Sequence, residues 1–174
     1  RNGHADMFIE DKSVVTLGTG APTDRIIITS DGSQDSSLIV SGDQTRLDVN
    51  GDFYVGEGRG GAGIVIENGA LLETAGTTYL GYSTGSGSVR GVVALNDGEW
   101  QAADVVVAAN AGSDGRLALE GPSARLQVTG TLTAGVNGGN ASINLFNGTA
   151  EIDRFVLGGA DGIVGVMHYG TDLT

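Results

Sequence analysis

Residues Leu38–Gly56, LIVSGDQTRLDVNGDFYVG, lie without a gap over Leu117–Gly135, LALEGPSARLQVTGTLTAG. Seven positions are identical in this pairing: Leu38/Leu117, Gly42/Gly121, Arg46/Arg125, Leu47/Leu126, Val49/Val128, Gly51/Gly130 and Gly56/Gly135. The offset is 79 residues, and weaker copies between the two divide it into three steps of roughly 26. Each step is therefore expected to be one supersecondary unit that cannot bury its apolar face alone.

Three anchors trace the copies. The first is an apolar pair with one residue between its members: Leu38/Val40, Ile64/Ile66, Val93/Leu95, Leu117/Leu119 and Ile143/Leu145. Alternation of this kind is a strand signal, because successive side chains on a strand point to opposite faces. A glycine follows each pair, usually behind a turn-prone residue: Ser41-Gly42, Asn68-Gly69, Asp97-Gly98, Glu120-Gly121 and Asn147-Gly148. Glycine admits positive φ, so each unit is expected to turn a corner there. A second short strand is carried by Leu47/Val49, Leu72/Thr74, Trp100/Ala102, Leu126/Val128 and Ala150/Ile152. A third ends on a small residue, at Val55-Gly56, Leu80-Gly81, Val107-Ala108, Ala134-Gly135 and Leu157-Gly158.

The period selects among repeat folds. No window sustains the i, i+3, i+4, i+7 spacing that helical repeats need, and propeller blades need longer units of four strands. What fits is an all-β fold, a parallel β-solenoid with three short strands per rung and one rung per ~4.8 Å. Leu38, Ile64, Val93, Leu117 and Ile143 are then expected to form one buried column.

The repeat leaves no linker and no charge block, so residues 1–174 are read as a single elongated domain, with clear repeats over 36–160. Thirty-one glycines against two prolines, without Gly-X-Y order, suit rung corners and exclude collagen. Nine basic against 21 acidic residues give a net charge of −12, which repels polyphosphate and argues against nucleic acid as a partner. No apolar run approaches the length of a membrane-spanning helix, so membrane insertion by this segment is not expected. The opening RNGHADMFIEDKS lacks the start Met and apolar centre of a signal peptide, and the chain is read as an internal piece of something longer. The absence of cysteine permits, without requiring, export in an unfolded state.

The stretch LIVSGDQTRLDVNGDFYVGEGRGGAGIVIENGALLETAG and its continuation LGYSTGSGSVRGVVALNDGEWQAADVVVAANAGSDGRLALEG resemble the repeat of bacterial type V secretion (autotransporter) passengers. The same repeat is shared with exported surface proteins carrying a C-terminal sorting signal. The likeness includes Trp100 and departs at Ala108, where the repeat usually has glycine. It implies a right-handed parallel β-helix exported across the outer membrane to the bacterial cell surface. For activity it implies little, since such passengers share the coil and differ in what they bind or cut.

Candidate chemistry is sparse. A Ser-His-Asp protease of this kind would resemble its relatives in a GDSG motif, but Gly42-Asp43 is followed by Gln44, and His4 and His168 lie near the two ends. Carbohydrate-cleaving coils place carboxylates on neighbouring rungs, which draws attention to Asp97 and Glu99 with Glu67 and Glu73 one rung earlier; acidic corners are also what any solvated solenoid of this charge carries. Asp31-Gly32-Ser33-Gln34-Asp35 and Gly159-Ala160-Asp161-Gly162 lack the spacing of calcium loops and are read as turns. Trp100 falls on the inward phase and is expected in the core, whereas Arg46 and Arg125 fall on the outward phase, where they pair with acids or cover apolar surface.

No catalytic residue, cofactor or metal ligand is assigned. The expectation is a non-enzymatic stalk or adhesin that presents its loops, near Glu57–Gly63 and Tyr82–Arg90, to a host or bacterial surface receptor or glycan, or to further copies of itself. The alternative is a polysaccharide-active β-helix, a lyase or tailspike-like depolymerase.

Overall fold

The structure is a computed structural model describing residues 5–173 apart from 22, 31–34, 86, 87, 160, 161, 169 and 170. Its strands are β1 (Asp6–Ile9), β2 (Val14–Leu17), β3 (Arg25–Ile28), β4 (Ser36–Ser41), β5 (Arg46–Val49), β6 (Asp52–Glu57), β7 (Gly60–Glu67) and β8 (Leu71–Tyr82). They continue as β9 (Val89–Asn96), β10 (Glu99–Val107), β11 (Ser113–Glu120), β12 (Arg125–Ala134), β13 (Asn140–Leu145), β14 (Gly148–Leu157), β15 (Ile163–His168) and β16 (Thr171–Leu173). All pairings between them are parallel. The first sheet runs β1-β4-β7-β9-β11-β13-β15, and the long second sheet runs β16-β14-β12-β10-β8-β5-β2, with β3 and β6 stacked beneath the far half of β8. The chain is a β-solenoid with repeats of about 26 residues.

The expected column exists. Leu38 pairs with Ile64, Ile64 with Val93, Val93 with Leu117 and Leu117 with Ile143, and each is at most 2% exposed. Val40, Ile66, Leu95, Leu119 and Leu145 form a second buried column beside it. Across the core, Leu47, Leu72, Trp100, Leu126 and Ala150 form the facing one. Every inward side chain in the central rungs thus rests on the equivalent residue above and below, as expected for a stack whose units bury their apolar faces only together. The outermost turns have such a neighbour on one side only. Accordingly, the large apolar side chains left exposed among the described residues are Met7, Phe8, Val14, Ile27, Leu157, Ile163 and Val166, all in those turns.

One detail differs from the expected three separate strands. They are distinct only where β2 and β3, or β5 and β6, divide the turn; from Leu71 onward the second and third run together as one bent strand. The bend is marked by a slip in pairing between Ala102 and Val105 and between Val128 and Thr131. Asp52 and Asp104 serve the broken ladder there: the Thr77 amide donates to Asp52 Oδ1 at 3.0 Å and the Thr131 amide to Asp104 Oδ1 at 2.7 Å. Two backbone donors are thereby satisfied where the register slips.

The corners follow the glycine pattern. Gly42, Gly69, Gly121 and Gly148 have φ of 101°, 81°, 98° and 93°. In the remaining rung Asp97 takes the left-handed conformation at 58°, and Gly98 is required for space, since a Cβ there would lie 2.5 Å from the Ile66 carbonyl oxygen. The third corner is left-handed in every copy as well, including at Ala108.

Leu126 is 1% exposed and its neighbour Gln127 is on the solvent side. Leu126→Ala is expected to cost about 2 to 5 kcal/mol, and Gln127→Ala no more than about 0.5 kcal/mol. Equal urea midpoints for the two variants would contradict the inward and outward assignment.

Candidate functional site

The outer face of the second sheet carries the most organised polar surface. Alternation that sends Leu47 and Val49 inward sends Arg46 and Asp48 outward, and parallel register then stacks Asp48, Glu73, Gln101 and Gln127 in one row. Arg46 donates to the carboxylates of both Asp48 and Glu73, one in its own strand and one in the next rung. These hydrogen bonds hold its guanidinium above its ordinary pKa, Asp48 contributing most. Gln101 Nε2 donates to Glu99 Oε1 at 2.8 Å, so Glu99, in the adjoining outer column, is also engaged. Beside the row the bend makes the surface concave. The resulting groove, about 330 Å³, is lined beside the row by small residues, Ala75, Ala103 and Thr129.

The third-strand half of the same face holds three of the chain's four tyrosines. Tyr54 and Tyr79 stack with ring centroids 4.7 Å apart and planes 13° from parallel, and Tyr82 meets both edge-on at 5.3 and 5.2 Å. Arg25 lies over the other face of Tyr54, 4.4 Å from its centroid, and pairs with Glu57. Both faces of Tyr54 are thus covered, by a cation and by a ring, so the cluster buttresses the rungs. Burial raises the Tyr79 phenol above its ordinary value, with Tyr54 and Asp52 adding to the rise. Sequence reasoning missed this cluster; the signal available was that Tyr54 and Tyr79 stand one repeat apart.

The acids singled out in the sequence do not converge. Glu73 faces the groove, Glu99 stands in the next outer column, and Glu67 and Asp97 meet at the first corner. Asp97 Oδ1 accepts from the Ser123 amide at 2.9 Å and caps the turn above it. Trp100 is fully buried, and its Nε1 donates to Thr74 Oγ1 at 3.1 Å. Arg46 pairs with acids as its outward phase implies, and Arg125 stands on the same face next to Glu99. Of the two calcium-like stretches, 31–34, 160 and 161 lie outside the described residues, as does His4; His168 ends β15. Among the described residues no three His, Asp or Glu side chains are grouped to hold a metal, and no helix is long and apolar enough to cross a membrane.

No family model matches this chain. Neither a curated protein nor a solved structure shows significant similarity to it. The geometry of the outer faces is therefore what bears on function.

Proposed function

We propose that this chain is a non-enzymatic segment of an exported bacterial surface protein, acting as a rigid stalk or adhesin whose side faces and loops bind a surface receptor, a glycan or another copy of itself. The observation that supports this is the register held by the inner columns from Leu38 to Ile143 and from Leu47 to Ala150. Parallel backbone ladders stacked along the axis, with an apolar core beneath, give a stiff rod whose lateral surface is fixed in position. The resemblance to passenger repeats supports the export route. The outward acids also favour binding over turnover: Glu73 and Asp48 accept from one guanidinium, Glu99 accepts from an amide and Asp97 from a backbone N–H. A general acid and base pair aimed at a glycosidic bond needs carboxyls facing each other across it.

The test combines adhesion with turnover. The purified chain is expected to bind bacterial or host cells, or to sediment as concentration-dependent oligomers, while releasing no reducing or unsaturated ends from a polysaccharide panel. Release that disappears in Glu73→Gln or Glu99→Gln would replace this reading with the depolymerase alternative.

A further inference from the structure

We infer that the groove on the outer face of the second sheet binds an extended, uncharged glycan laid along the solenoid axis. The inference deepens the binding role proposed above and rests on it. Asp48, Glu73, Gln101 and Gln127 occupy successive rungs in register, so hydrogen-bonding groups recur along a straight line every ~4.8 Å. A ligand that uses all four must itself be linear and repeat on a similar scale, as an extended chain of sugars does.

The chemistry of the row narrows the class. Gln127 offers an acceptor oxygen and donor N–H groups, and Gln101 keeps its oxygen and one N–H beside its bond to Glu99. Asp48 and Glu73 each keep a carboxylate oxygen that Arg46 does not bind, and the set matches hydroxyls able to donate and accept. Ala75 and Ala103, which line the groove, carry only methyl side chains and leave room for a chain to lie along the row. Beneath it β8 and β10 are hydrogen-bonded on both sides, so a peptide cannot join as an added strand. Arg46 is shared between Asp48 and Glu73, Arg125 stands in the adjoining column next to Glu99, and the chain's net charge of −12 opposes an anionic polymer. At about 330 Å³ the groove falls within the range of ligand-binding clefts.

The experiment titrates the whole chain by calorimetry with linear glucans, mannans and xylans from disaccharide to octasaccharide, with polygalacturonate as the anionic comparison. Affinity is expected to rise with length until the four rungs are spanned, and to exceed that for polygalacturonate. Gln101→Ala and Gln127→Ala are each expected to weaken binding at least about tenfold, equivalent to about 1.4 kcal/mol. Ala103→Trp, which puts an indole into the groove, is expected to abolish it, whereas Arg116→Ala on the other sheet leaves it unchanged. Circular dichroism of each variant confirms that the coil is retained. The inference is overturned if no uncharged glycan binds, if polygalacturonate binds better, or if binding ignores the glutamine variants. It is also overturned if those variants instead abolish self-association, which would make the face a contact between copies. Cell adhesion without glycan binding would overturn the groove alone and leave the proposed function standing; turnover lost in Glu73→Gln would overturn the proposed function.

Discussion

Trp100→Ala is expected to lower stability by about 3 to 5 kcal/mol. The indole is fully buried between Leu72 and Leu126 in the middle of a column, so truncation leaves a void that neighbours held by backbone ladders on both sides can fill only in part. Loss of the Nε1–H also removes the partner of Thr74 Oγ1, and Thr74 is itself 3% exposed. Trp100→Phe separates the two effects, because it keeps most of the volume and loses the hydrogen bond; about 1 to 3 kcal/mol is expected for it. Since Trp100 is the sole tryptophan, urea unfolding is followed by far-ultraviolet circular dichroism rather than by fluorescence. A cost below about 1 kcal/mol for the alanine variant would mean that the indole is not enclosed as described.

Gly56→Ala is expected to cost about 2 to 5 kcal/mol, combining a left-handed backbone with a collision. Its φ is 76°, and an added Cβ would lie 2.1 Å from the Arg90 carbonyl oxygen and 2.7 Å from the Arg90 carbonyl carbon. Both atoms belong to a paired strand and cannot move aside independently. Gly58 is the internal control: its φ is 79°, yet the nearest atom to an added Cβ is the Thr84 hydroxyl at 3.8 Å. Gly58→Ala should therefore show the conformational cost alone, about 1 to 2 kcal/mol. Thermal unfolding of the pair measures the difference, and equal shifts would show that close approach at Gly56 contributes nothing. Ala108 shows how one rung accommodates a methyl at this corner with φ of 60°: Gly139 faces it, where a Cβ would lie 2.9 Å from that of Ala108.

The inner half of the molecule was legible from the order of residues. Leu38, Ile64, Val93, Leu117 and Ile143 could be aligned because burial tolerates only apolar side chains there, and a one-residue slip would turn the whole set to solvent. The corners were legible for a related reason, since left-handed backbone selects Gly, Asn or Asp, and Asn68 and Asp97 do adopt it. Trp100 could be placed inward by phase alone.

The outer half was decided by the tertiary structure. Outward residues face water, so no hydrophobic pattern marks which of them become neighbours, and side chains about 26 positions apart meet only after the register is known. Arg46 reaching Glu73, Tyr54 stacking on Tyr79, and the row from Asp48 to Gln127 all depend on that register. The joining of the second and third strands, and the groove it shapes, depend further on the pairing slips beside Ala102 and Val128. Alternation and period determined the coil and its core, because burial constrains residue type at every inward position; the contacting surface was left to the three-dimensional register, because solvent imposes no comparable constraint.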